Sequence, residues 1–247
     1  MRIDRILAAA FVVLVSMAII GFSAGNTGAS FTGTTTNPNQ SWATSNVAAP
    51  ASLTATSVAA GQINLSWPAT TTPANGHTVT YLVFRGGVQI ASTSSLSYSD
   101  IPASDGTYTY YIQTKIAQGA GFFTSGNSPS QSPLSDRTAP TIATALISAQ
   151  GAAGNPVTVD LTWTAGTDAG SGVAGYTVYW SNVVTLATCP AISAANYPNS
   201  AVIGVVTSYS ISTNVVSGSK YCAYLTTTDT VGNVSVASAV TGPTKAR

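Results

Sequence analysis

Two stretches of the chain alternate apolar and polar residues along their length. Ile63, Leu65 and Trp67 alternate with Asn64 and Ser66, and Val159, Leu161 and Trp163 alternate with Asp160, Thr162 and Thr164. A period of two puts alternate side chains on opposite faces of a strand, so both stretches predict half-buried β-strands with a tryptophan turned inward. Tyr108, Tyr110 and Ile112 repeat the pattern less cleanly. Gly86-Gly87, between Tyr81–Arg85 and Val88–Ala91, predicts a two-residue hairpin, and Asn75-Gly76 marks a second turn.

The landmarks occur twice in the same order. Leu65-Ser66-Trp67 recurs as Leu161-Thr162-Trp163, and Tyr81-Leu82-Val83-Phe84-Arg85 as Tyr176-Thr177-Val178-Tyr179-Trp180. Asp105 to Tyr110 recurs as Ser217 to Tyr224, with Tyr221 standing for Tyr108. The second copy is longer by about eighteen residues between its last two landmarks, which places an insertion near 181–206. Ser128-Pro129, Ser132-Pro133 and Thr138-Ala139-Pro140 predict a short, proline-punctuated connector with restricted motion. Two β domains are expected, at 48–136 and 137–247.

The other end of the chain has a different character. Arg2 and Arg5 precede an apolar run from Ile6 to Phe22, and Ser23, Ala24 and Gly25 follow it. A positive start, an apolar middle and a small-residue exit form a secretory signal. Residues 1–30 are therefore a cleaved signal or an uncleaved membrane anchor through residues 6–22, and both readings stay open. Residues 31–47 form a low-complexity linker. Either way the bulk of the chain is expected outside the cell or at its surface.

Composition sharpens the picture. Of 247 residues, 45% are hydrophobic but only 6% are charged, and all the acidic residues are aspartates. Richness in Thr, Ser, Val, Tyr and Gly favours strands over helices, so the chain is read as all-β. The net charge is +1 with no cluster of Lys or Arg, which excludes the basic stripe that nucleic acid requires.

One inward tryptophan per repeat, an early Leu-Xaa-Trp strand and a late Tyr-Xaa-Tyr strand together resemble the fibronectin type III family. The resemblance implies two tandem immunoglobulin-like β-sandwiches. It also gives Tyr108 and Tyr221 the role of corner tyrosines, whose hydroxyls bond back to upstream backbone. Asp168 to Tyr176 and Asp229 to Ser235 resemble the bacterial members of that family. Ala29-Ser30-Phe31-Thr32 and Asn39-Gln40-Ser41-Trp42 resemble the start of TasA-like, SipW-dependent matrix proteins, which implies export to an envelope or matrix. Family membership of this kind says little about function.

Candidate chemistry is sparse. Cys189, in the insertion, and Cys222, beside the corner tyrosine, are the only cysteines; in an exported domain they are expected to pair, with free thiols the alternative. The bond would be worth ~3 kcal/mol by chain entropy. His77, the only histidine, follows a turn signal and lacks a Gly-Xaa-Ser-Xaa-Gly partner motif, so no hydrolytic triad is indicated. Asp100 and Asp105 bracket a turn, where aspartate caps backbone, rather than forming a glycosidase pair. Asp168 and Asp229 are turn caps or, with Asn233, ligands for a calcium ion, which takes six to eight oxygens. Phe122-Phe123, flanked by glycines, either opens a buried final strand or forms an exposed contact, and Trp42 carries the same two readings.

No catalytic residue and no cofactor is assigned. The expected function is a non-catalytic surface or adhesion protein of spacer modules, its partner an extracellular protein or glycan. The alternatives are a carbohydrate-binding accessory module of a polysaccharide-degrading system and a subunit of an extracellular fibre.

Overall fold

The computed structural model describes residues 47–247 apart from 73–75, 119–120 and 186. The apolar run 6–22, nearly all of the linker, Trp42 and the Asn75 half of the second turn signal lie outside the described residues.

The first sandwich runs through β1 (Thr54–Ser57), β2 (Ile63–Ser66), β3 (Val79–Arg85), β4 (Val88–Thr93), β5 (Ser97–Asp100), β6 (Gly106–Thr107), β7 (Tyr110–Gln118), β8 (Gly121–Thr124) and β9 (Leu134–Ser135). One sheet has the order β1-β2-β5, the other β4-β3-β7-β8, and β6 pairs with β9 at the end. The second sandwich runs through β10 (Thr144–Gln150), β11 (Val159–Thr164), β12 (Val173–Trp180), β13 (Asn199–Ile203), β14 (Ser208–Ile211), β15 (Lys220–Asp229) and β16 (Thr241–Lys245). Its sheets are β10-β11-β14 and β13-β12-β15-β16.

Alternation builds both cores. Ile63, Leu65 and Trp67 are buried, while Asn64 and Ser66 face water; Val159, Leu161 and Trp163 do the same one domain later. Each tryptophan meets the first tyrosine of the facing sheet edge-on: Trp67 and Tyr81 at 5.8 Å, Trp163 and Tyr176 at 5.4 Å between centroids. Edge-to-face rings add about 0.5–1.5 kcal/mol beyond their buried area. Gly86 and Gly87, at φ 56° and 83°, form the β3–β4 turn, a conformation that side chains resist. Both corner tyrosines are in place. The Tyr108 hydroxyl donates to the Ser104 carbonyl at 3.0 Å, and the Tyr221 hydroxyl accepts from the Val216 amide at 2.8 Å.

One core position departs from the duplication. In the first sandwich Asp100 Oδ2 accepts from Tyr110 at 2.6 Å and from the Arg85 guanidinium at 2.8 Å. Asp100 thus joins the two sheets rather than capping a turn. The strand register puts Trp180, Ile211 and Ala223 in the corresponding places of the second sandwich, all three buried in its core. An ion pair and a phenol are exchanged for apolar atoms, as buried charge groups often can be without loss of stability. The second domain consequently holds two inward tryptophans, where the repeat pattern predicts one.

The serine- and proline-rich stretch after β8 is not a connector but the irregular last strand of the first sandwich. Ser125 and Ser128 are buried, and their hydroxyls accept from the Thr114 and Ile112 amides and donate to the Gly126 and Pro129 carbonyls. Ser235 and Ser238 repeat this on Thr227 and Leu225. A spacing of three matches the turn of an extended polyproline-like strand, so both hydroxyls face the same neighbour. Each serine satisfies a buried amide that a regular ladder would have paired. Only the few residues from Asp136 to Pro140 then link the domains.

Two outcomes follow from these contacts. Ser238→Ala leaves the Leu225 amide without its acceptor and lowers the stability of the second domain by about 1–3 kcal/mol, read from urea unfolding. Burial, then the hydrogen bond to and charge of Asp100, raise the Tyr110 phenol above its ordinary value. Its stabilising effect is complete below the ordinary phenol value of about 10 and is lost as pH climbs through the folded value. Tyr110→Phe removes that part of the alkaline loss, as unfolding at pH 8 and pH 11 checks.

Candidate functional site

The junction between the sandwiches gathers three carboxylates. Asp136 opens the connector, Asp168 lies in the β11–β12 loop and Asp229 ends β15; each presents an oxygen within 4.8 Å of the others. Asp136 Oδ1 accepts from the Thr138 amide and Oδ2 from the Ser171 amide. Asp229 Oδ1 accepts from the amides of Val231, Gly232 and Asn233, and Oδ2 from the Asn233 side chain. Asp168 Oδ2 accepts from the Gly172 amide at 2.6 Å, while its Oδ1 is buried without a hydrogen-bond partner.

These are the contacts of loop caps. The set also has the hard-oxygen character that a divalent cation requires. Asn233 is engaged as well: its Oδ1 accepts from the Ala60 amide at 2.8 Å across the junction. Its Nδ2 donates to the Asp136 carbonyl at 3.0 Å. Asp136 itself carries no sequence signal beyond its place before the proline connector. Only the fold brings it to the two loops.

The same junction holds an unusual turn. Ala60 has φ 62° and Gly61 φ 72°. A side chain at Gly61 would meet Arg137 and Ser135, so glycine is required there. The Gly61 amide donates to the Asp136 carbonyl, and Ser135 Oγ donates to the Gly61 carbonyl. A left-handed alanine costs about 1–2 kcal/mol, and the Asn233 contact helps to hold it. Asp105 fastens the connector from the other side, accepting from the Arg137 amide and guanidinium and from the Thr138 hydroxyl.

The outer faces of the two large sheets differ. In the second domain Tyr179 and Tyr224 stack at 4.8 Å, and Tyr197, in the inserted segment between β12 and β13, sets its ring edge-on over Tyr224 at 5.0 Å. The Cys189–Cys222 disulfide pins the insertion there, and the Tyr197 hydroxyl donates to the Pro190 carbonyl. This roof forms a separate apolar cluster outside the main core. Burial first, and then the neighbouring Tyr179, raise the Tyr224 phenol above its usual value. In the first domain the corresponding rings, Phe84 and Tyr111, stack at 4.7 Å with no insertion over them.

Phe122 and Phe123 sit on β8 and are 60% and 56% exposed, so the pair is an exposed contact rather than the start of a buried strand. β8 is an edge strand whose four residues all face water. Lys115 Nζ lies 4.3 Å from the centre of the Phe122 ring. His77 is an exposed turn residue. Asp100 is spent on Tyr110 and Arg85, and Asp105 on the connector.

No protein-family model matches the chain. In solved structures, three fibronectin domains of chicken CNTN1 (FN1–FN3) superpose with a TM-score of 0.55 at 13% identity, covering 79% of this chain and 66% of that one. The fold is the fibronectin type III sandwich, used twice. The fibronectin(III)-like modules of Clostridium thermocellum CbhA give a TM-score of 0.45 at 17% identity, covering 76% of this chain and 91% of theirs. Among curated proteins, exoglucanase B of Cellulomonas fimi is 30% identical over 193 residues, which is 76% of this chain and 16% of that enzyme. Exoglucanase A of the same organism is 33% identical over 135 residues, 52% of this chain and 15% of that enzyme. The chain thus spans about a sixth of the length of the curated relatives it matches.

The buried Asp229 carboxylate is the acceptor for three successive amides of its loop. Asp229→Ala leaves them unpaired and is expected to cost about 3 kcal/mol, with melting of the second domain shifted down and that of the first nearly unchanged.

Proposed function

We propose that the chain is a non-catalytic, exported spacer and accessory module, built to hold what lies on either side of it at a fixed separation. The observation that carries this reading is the Asn233 contact, in which one side chain bonds Asp229 of its own loop, Asp136 of the connector and Ala60 of the other sandwich. Domains joined only by a loose tether move independently by default. A buried carboxamide shared by three segments opposes that motion.

Three further observations support it. Asp100, Asp105, Asp168 and Asp229 are engaged in structural contacts, and His77 is exposed on its loop. The curated relatives are exoglucanases matched over a small share of their length, which favours a role beside polysaccharide-degrading chemistry rather than within it. The disulfide suits an oxidising, extracellular setting. Export would run through the apolar segment 6–22, either removed or kept as an anchor. The exposed rings of the first domain favour a glycan as the contact, in preference to adhesion to another protein.

Spin labels on β1 and β16 of the full chain report the spacing of the two sandwiches. A narrow distance distribution is expected for the native chain and a markedly broader one for Asn233→Ala. A broad distribution in the native chain would sink the spacer reading.

A further inference from the structure

The duplication places a stacked aromatic pair on the outer face of the large sheet in both domains, yet only one pair is covered. Tyr179 and Tyr224 lie under the disulfide-pinned insertion, whereas Phe84 and Tyr111 are half-buried with no such segment over them, beside a buried Leu82 on the same face. Two neighbouring strands of that face add further groups. On β7, Tyr111, Gln113 and Lys115 point outward, since Tyr110, Ile112 and Thr114 between and beside them are buried. On β8, Phe122 lies opposite Ala117 and brings its ring over Lys115. Gln113 Nε2 donates to the Asn127 Oδ1 at 2.8 Å, a bond that uses one N–H of the Gln113 amide and not its carbonyl oxygen.

We propose that this face of the first domain binds an extended, uncharged polysaccharide of pyranose units. The proposal rests on the accessory reading above and supplies its ligand and site. Four considerations lead to it. The aromatic stations at Tyr111 and at Lys115–Phe122 are four residues apart along β7, or ~13 Å, so one ligand touching both is a polymer rather than a small molecule. Pyranose rings present C–H faces that pack on aromatic rings and hydroxyl rims that bond amides, and the face offers rings with the Gln113–Asn127 amides between them. Its charge is matched to a neutral partner: among the described residues of β7 and β8, Lys115 is the one cation, already set against the Phe122 ring, and no carboxylate accompanies it. Finally, the rings are half-buried or exposed and held by strands, so little ordering is required on binding.

The covered pair explains why the second domain does not compete. Tyr197 already makes the edge contact with Tyr224, and the insertion occupies the space a glycan chain would need. Among the described residues one such face is left uncovered.

The test uses the full chain with soluble mixed-linkage β-glucan and with insoluble cellulose, in affinity electrophoresis and in pull-down. The native chain is expected to bind at least one of the two. Phe122→Ala and Tyr111→Ala should each weaken binding by about tenfold, Phe122→Ala with melting temperature nearly unchanged because its ring is solvent-exposed, and Tyr111→Ala with the chain still folded but melting somewhat lower, because its half-buried ring stacks on Phe84. Tyr197→Ala, on the covered face, should leave binding unaltered. Absence of binding to both glucans, ring variants that bind as well as the native chain, or preference for a polyanionic glycan would each overturn the proposal. So would concentration-dependent self-association in sedimentation that the same substitutions abolish, since a second copy would then be the occupant. Any of these failures leaves the spacer reading to stand or fall on the label distances alone.

Discussion

Each sandwich is organised around an edge-on contact between a tryptophan and a tyrosine that reach the core from opposite sheets. The contact exists only if β2 and β3 in one domain, and β11 and β12 in the other, keep their registers. A slip of one residue would send the tryptophan to water and a serine or threonine to the core. The remaining features hang from that constraint. The corner tyrosines close the turns leading into the late strands, and the buried serines finish the last strand where the regular ladder stops. The loops at one end then fall where the connector enters.

Duplication makes differences between the domains informative. At one core level, Arg85, Asp100 and Tyr110 stand where Trp180, Ile211 and Ala223 stand in the other copy. The same shape is filled once by a hydrogen-bonded charge cluster and once by hydrocarbon. On the outer face the direction reverses. The second domain spends its insertion and its disulfide on covering two tyrosines, and the first leaves the matching rings open. If the open face takes a glycan, binding lies in the uncovered copy, while the covered copy contributes length and rigidity.

The junction has its own logic. Left-handed backbone at Ala60, a glycine that nothing larger can replace at Gly61, and the carboxylates of Asp136 and Asp229, bonded through both oxygens, are all concentrated where the connector meets the loops. Strain and buried polar groups are costly, and they persist where surrounding contacts over-determine them. In this junction the contacts come from three separate segments.

Period-two alternation, paired turn glycines and repeated Leu-Xaa-Trp and tyrosine landmarks are enough to establish an all-β, twice-repeated sandwich, because these signals are local and each residue's face follows from its neighbours. The three-residue spacing of Ser125 and Ser128, and of Ser235 and Ser238, is equally present in the sequence. Around Ser128 it reads as linker, since a strand held by side-chain hydroxyls leaves no alternating pattern. Asp136 beside Asp168 and Asp229, Asn233 against Ala60, and Tyr197 over Tyr224 are decided by tertiary structure alone. They join residues far apart in the chain, and their partners are set by where strands end in space, a quantity that no local periodicity encodes.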